Sequence, residues 1–131
     1  MIGNILFWLF CLVMNLLIPA TMFFFGRKFL TDPPKTINGG YGYRTSRSMK
    51  NQRTWDFAHQ VCGQVWVKAG KWMALPSVLA MLVVFGQDVG VVGTVCGVVA
   101  SVQCVALIGS IFPVERALKK NFDRFGRKIN P

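Results

Sequence analysis

Apolar positions fall into long uncharged runs separated by short polar breaks, and that alternation predicts the elements. Residues 1–26 carry no charged side chain. At ~1.5 Å per helical residue, a run of this length crosses the ~30 Å of a bilayer core. It predicts a first transmembrane helix over about residues 2–26. A cleaved signal peptide needs a positive n-region and a small-residue cleavage site, and neither pattern is present here. Arg27-Lys28 closes the run, and Asp32-Pro33-Pro34 blocks its continuation. Proline has no amide donor and pushes its predecessor out of the α region. Asn38-Gly39-Gly40 reads as a turn, so residues 27–50 are expected to form a polar loop.

Helical character resumes after Ser48, which can serve as an N-cap, and covers about residues 51–85 with a kink at Pro76. Such a helix, ~35 residues and ~50 Å long, exceeds a bilayer core. Its start should therefore protrude or lie in the interface, with about 61–85 crossing as the second span. Gly86-Gln87-Asp88-Val89-Gly90 forms a tight turn, and an uncharged third span follows over about 89–112. After Pro113 the pattern becomes amphipathic. Val114, Leu118, Phe122 and Phe125 recur at helical spacing, with Arg116, Lys119, Lys120 and Arg124 on other faces. A short interfacial helix over about 114–125, stopped by Gly126, fits this pattern. Residues 127–131 are expected to be a frayed basic end.

Charge settles the orientation this reading implies. Of fifteen Lys and Arg residues, nine lie between Arg27 and Lys71 and six follow Pro113. None precedes Arg27 or falls between Trp72 and Phe112. Three spans place all fifteen on one side, with the N-terminus outside and the C-terminus cytoplasmic. Two spans would break the segregation. The expected architecture is thus an all-α integral membrane protein with three transmembrane helices and a cytoplasmic interfacial helix, forming one membrane domain over 131 residues. Composition agrees: 53% of residues are apolar and 15% charged, yet the net charge is +10. A soluble domain carries roughly 25% charged residues. A basic nucleic-acid binder is excluded, because uncharged runs of this length have no place in so small a soluble core. Cys11, Cys62, Cys96 and Cys104 form no Cys-x-x-Cys pair, and a single His59 completes no zinc set, so neither a metal nor another cofactor is expected.

Helix association in lipid relies on small residues and buried polar groups. The third span offers Gly93-x-x-x-Gly97-x-x-x-Ser101, a face suited to packing within the chain or against a second copy. Asn15 and Gln103 are amides deep in the first and third spans. An unpaired amide in hydrocarbon is costly, so they are expected to bond to each other or to neighbouring backbone.

On a helical wheel Trp55, His59, Cys62, Gly63, Trp66 and Gly70 fall within roughly 100° of one another, opposite Lys68 and Lys71. The lysines can snorkel towards lipid phosphates. The stripe opposite them is shaped to receive the first helix, the Tyr43-Arg44 loop or a partner. Arg44 and Arg47 suit lipid phosphates or an acidic partner, since guanidinium binds such oxygens in bidentate fashion.

Gly42-Tyr43-Arg44-Thr45, then Ser48, Trp55, His59 and Gly63, resemble the signature of the SdpI family of bacterial membrane immunity proteins. Glu115-x-x-Leu118 with Asn121-Phe122 resembles the family's terminal helix. Gln52-Arg53 and Gln64 depart from the pattern, which often has acidic residues before the Trp and a Lys after the Gly. The resemblance implies a multi-pass protein of the bacterial plasma membrane, a short three-span form, conferring immunity to a secreted antimicrobial peptide. Partner or lipid binding is expected at Tyr43, Arg44, Thr45, Arg47, Ser48, Trp55, His59, Gly63 and Trp66. The expected partners are anionic lipid headgroups, other membrane proteins or a toxin peptide, a second copy of the chain, and no nucleic acid. No nucleophile with a base, carboxylate pair or phosphate loop is present, which argues against an enzyme. Two further functional classes fit the same features: an accessory subunit of a larger membrane complex, and a lipid-handling protein.

Overall fold

The computed structural model describes residues 2–129, and its regular elements are all helices. Four helices follow in order: α1 (Ile2–Thr31), α2 (Gln52–Val83), α3 (Val89–Gly109) and α4 (Ile111–Asn121). Among the described residues the one trace of extended pairing is an isolated antiparallel bridge between Phe122 and Lys128. Two helical runs, Ile2–Thr31 and Val89–Asn121, are long and apolar enough to cross a membrane. In α2 the apolar part is interrupted by Lys68 and Lys71, both exposed.

Several boundaries differ from the sequence expectation. The helix start belongs to Asn51, not Ser48. Asn51 Oδ1 accepts the Thr54 amide at 2.9 Å, and Thr54 Oγ1 accepts the Asn51 amide at 3.0 Å. This reciprocal pair satisfies two amides that a helix start leaves open. The third helix, α3, ends at Gly109 and not at 112, because Pro113 cannot donate to the Gly109 carbonyl and its ring crowds it. The amphipathic helix ends at Asn121, four residues before the expected end. Phe122 is extended, and its amide still reaches the Leu118 carbonyl. Phe125 is therefore 60% exposed instead of continuing the buried face. The basic end is not frayed through Ile129. The Ile129 amide bonds to the Asn121 carbonyl at 2.9 Å, the Asp123 amide bonds to the Arg127 carbonyl at 2.8 Å, and Arg127 pairs with Asp123. The last two residues, 130–131, lie outside the described segment.

The chain divides into two compact units, Met1–Phe23 with Lys68–Ile108, and Phe24–Val67 with Gly109–Pro131. The first has an apolar exterior: Leu6, Phe10, Trp72, Leu79, Val98, Val102 and Val105 are all exposed. Its interior holds Asn15, Ser77 and Gln103, which are buried. A polar interior beneath an apolar surface is the arrangement expected in lipid.

Proline explains the central contact of this unit. Pro19, inside α1, has no amide to offer the carbonyl of Asn15 four residues earlier. Gln103 of α3 supplies the missing donor, its Nε2 bonding to the Asn15 carbonyl at 2.6 Å and to Ser77 Oγ at 2.7 Å. Of the two pairings expected for these amides, the backbone one is formed. The Asn15 side chain receives only the Cys96 thiol, at 3.7 Å. A second open carbonyl, Met81 near the end of α2, accepts the Trp8 indole N–H at 2.6 Å.

The glycine expected to pack most closely in this unit does not. A Cβ at Gly97 would meet nothing within 4 Å, one at Gly93 would touch only the Phe7 ring at 3.7 Å, and exposed Ser101 bonds to its own helix at the Gly97 carbonyl. Close approach uses Gly70 instead, where a Cβ would lie 2.7 Å from the Pro19 carbonyl oxygen.

Candidate functional site

The second unit carries the motif residues. Gly26 of α1 and Gly63 of α2 bring two backbones together: a Cβ on Gly63 would lie 2.8 Å from the Gly26 carbonyl oxygen, and one on Gly26 2.8 Å from the Val67 amide nitrogen. That approach sets Phe29 against the wheel stripe, with its ring edge-on to His59 at 4.9 Å between centroids. The imidazole also lies against the Trp55 ring, with 4.4 Å between centroids. Trp55, His59 and Cys62 are completely buried.

The loop then closes over the imidazole. Asn38 Oδ1 accepts the amides of Gly40 and Tyr41, which turns the chain. Gly42 follows at φ +118°, a conformation favouring glycine, and a Cβ there would lie 2.7 Å from His59 Nε2. Next, the Tyr43 amide donates to His59 Nε2 at 2.9 Å. A backbone amide only donates, so Nε2 must carry the lone pair. The proton then sits on Nδ1, which lies 2.8 Å from the Trp55 carbonyl. Burial holds this imidazole below its usual pKa, opposed by the Trp55 carbonyl and by Asp56. His59 is a neutral bridge between the loop and α2.

Two further contacts lock the same loop. The Trp55 indole donates to the Pro34 carbonyl at 2.7 Å. Ser48 Oγ donates to the Tyr43 carbonyl at 2.9 Å and accepts the Thr45 amide at 2.8 Å, while Thr45 Oγ1 accepts the Ser48 amide at 3.1 Å. Ser48 therefore shapes the loop from a fully buried position.

Glu115, on α4, completes the arrangement. Its Oε2 accepts the Tyr43 hydroxyl at 2.6 Å and the Thr45 hydroxyl at 3.0 Å. Burial pushes the Tyr43 phenol well above its usual pKa, and the Glu115 carboxylate adds to this. Trp66 ties α2 to the start of α4 through its indole, 3.0 Å from Ser110 Oγ. Val114 and Leu118 of α4, with Phe122 just beyond its end, join Phe29, Tyr43, Ala58 and Cys62 in one apolar core.

Seven of the nine expected binding residues are thus brought together as mutual supports: Tyr43, Thr45, Ser48, Trp55, His59, Gly63 and Trp66. The arginines stand apart. Arg44 is exposed and donates to the Gly39 carbonyl, and Arg47 is half-exposed. Glu115 was not singled out as a site residue in the sequence. The available signals were its place in Glu115-x-x-Leu118 and an acid standing among Arg116, Lys119 and Lys120 of the same helix. The arrangement has an inward face that is sealed and an outward face that is basic. Its chemistry is therefore fixed positioning of a surface.

Comparison with known proteins matches the sequence over much of this region. The profile of the SdpI/YfhL protein family matches residues 35–114. A Bacillus subtilis (strain 168) protein described as "Uncharacterized protein YfhL" is 47% identical over 38 residues, which cover 29% of this chain and 34% of that protein. The matched stretch thus spans about a third of the relative's length. No solved structure matches.

Proposed function

This chain belongs to the SdpI/YfhL family, and from that premise we propose that it is a multi-pass protein of the bacterial plasma membrane that confers immunity to a secreted antimicrobial peptide by binding rather than by catalysis. In this reading α1, α2 and α3 each cross the bilayer, with the N-terminus outside and all fifteen basic residues on the cytoplasmic side. The outward-facing Trp72, Leu75, Leu79, Leu82 and Val83 support a crossing by α2. Lys68 and Lys71, near one end of that stretch, can reach headgroups.

The observation that carries the binding reading is the clamp on Tyr43. Its amide is held by His59 and its hydroxyl by Glu115. With its carbonyl held by Ser48, all three polar groups of the residue are committed to holding loop and helix in one geometry, which suits a preformed recognition surface.

The test is genetic. Deleting the gene in its native host and challenging the cells with the strain's own peptide-containing supernatant should lower survival by orders of magnitude. The intact gene should restore it. Equal survival of parent and deletion strains sinks the immunity reading.

An accessory-subunit role is favoured by one specific feature, the exposed α3 face of Gly97, Val98, Ser101, Val102 and Val105. Affinity purification in mild detergent distinguishes it, because a subunit brings down its complex at fixed stoichiometry.

A further inference from the structure

The clamp that holds the loop also builds a cleft. Arg47 from the loop and Phe112, Glu115, Arg116 and Lys119 from α4 line an open recess of about 370 Å³. The four α4 residues sit at helical spacings of three, one and three, so they share one face of that helix. Arg47 comes from 65 or more residues earlier in the chain and reaches this face because Thr45, two residues before it, is bonded to Glu115.

Gathering three cations round one recess is unfavourable unless something anionic offsets it. Glu115 is the acid available there, and its Oε2 is taken by two hydroxyls. Among the described residues, Arg47, Arg116 and Lys119 form no ion pair. The fold therefore holds a surplus of positive charge in a recess of fixed shape. The first turn of α4 adds an apolar margin, with Ile111 42% and Phe112 67% exposed. Cationic groups deeper along a helix and bare apolar groups at its start match the two parts of a phospholipid, phosphate and acyl chain.

We propose that this cleft is a binding site for the phosphate of an anionic phospholipid, with Arg47 and Arg116 offering bidentate donors, Lys119 a point charge, and Phe112 packing against the upper acyl chain. The site is independent of the immunity reading, since it concerns lipid retained by the chain itself.

The test uses the full chain purified in a neutral detergent, titrated with phosphatidylglycerol and read by native mass spectrometry. The wild type should bind one phosphatidylglycerol in preference to phosphatidylcholine. Arg116→Ala with Lys119→Ala should weaken that binding about tenfold or more, as each basic side chain near a lipid phosphate carries a several-fold share. Arg116→Lys with Lys119→Arg, which keeps the charge but moves the bidentate group, should weaken it less than the alanine pair. Lys28→Ala with Lys35→Ala, which removes the same charge outside the cleft, should leave it unchanged. Thermal melting of each variant reports whether the fold is retained, and Arg47→Ala, in the loop rather than on α4, gives a second readout of the same cleft.

Equal weakening by the two alanine pairs would overturn the proposal, because binding would then follow net charge alone. Equal retention of phosphatidylcholine would overturn it as well. So would full displacement of the lipid by millimolar inorganic phosphate, which would identify a free anion as the ligand.

Discussion

The backbone amide of Tyr43 is bonded to the imidazole of His59 at 2.9 Å, across sixteen residues of sequence. The bond requires a neutral ring with its lone pair on Nε2, and it is the point at which the loop and α2 become one body. His59→Ala should cost about 2–4 kcal/mol, combining an unpaired buried amide with the space left by the ring. Thermal unfolding in detergent measures this, and a loss below the error of the melt would contradict the clamp.

The same bond predicts a dependence on pH. Burial lowers the His59 pKa from its ordinary value of 6.5, so the unfolded chain takes up the proton before the folded chain does. The stabilisation is complete above about 6.5 and is lost as pH falls from there towards the lower folded value. The wild type should melt at a lower temperature at pH 5.5 than at pH 7.5, and the part of that shift due to His59 should vanish in His59→Ala.

Tyr43 and Glu115 should be coupled energetically. Tyr43→Phe and Glu115→Ala each remove the 2.6 Å bond, and hydrogen bonds to a charged group contribute about 1.5–3 kcal/mol. In a double-mutant cycle the two losses should fall short of adding by at least ~1 kcal/mol. Simple additivity would mean that the hydroxyl and carboxylate do not support one another.

Glycine substitutions should separate the packed face from the open one. Gly63→Ala and Gly26→Ala place a methyl 2.8 Å from backbone atoms, and overpacking of this kind costs about 1–3 kcal/mol or more. Gly97→Ala meets nothing within 4 Å and should leave the melting temperature of the monomer unchanged. A large loss for Gly97→Ala, together with small losses for the other two, would reverse the assignment.

The two buried amides should behave unequally. Gln103→Leu removes the donor to the Asn15 carbonyl that Pro19 leaves open, and interhelical hydrogen bonds in membranes average ~0.6 kcal/mol with a maximum near ~1.7. Asn15→Leu keeps that carbonyl and loses only the thiol contact, so it should cost less. Pro19→Ala restores the helix's own donor and should reduce the loss caused by Gln103→Leu. Melting curves of the single and double variants check all three outcomes.

Three-span topology is open to direct labelling. In a background without native cysteines, Gln87→Cys should react with an impermeant maleimide on intact cells. Gly39→Cys should react only after permeabilisation. Reaction of both positions on intact cells would remove the crossing by α2.

Helices and their apolar character were legible in the sequence because they depend on local periodicity and on the lengths of uncharged runs. The resemblance residues were legible as a set for the same reason, since Trp55, His59 and Gly63 recur at one helical spacing. What they contact was not legible. The wheel marked a stripe that receives something, but Phe29, Gly26 and the Gly42 turn are distant in sequence, and only backbone proximity at Gly26 and Gly63 selects them. Ser48 looked like a cap because caps are recognised by residue type alone. Asn51 won because its side chain and that of Thr54 satisfy each other's amides.

Sequence by itself therefore determined the helical class, the uncharged runs and the one-sided charge, each a property of neighbouring residues. Tertiary structure alone decided that the motif faces inward, that Glu115 closes it, and that α1 and α2, not the glycines of α3, make the closest backbone contact. Those outcomes turn on ångström-scale contacts between residues tens of positions apart, which a linear pattern does not encode.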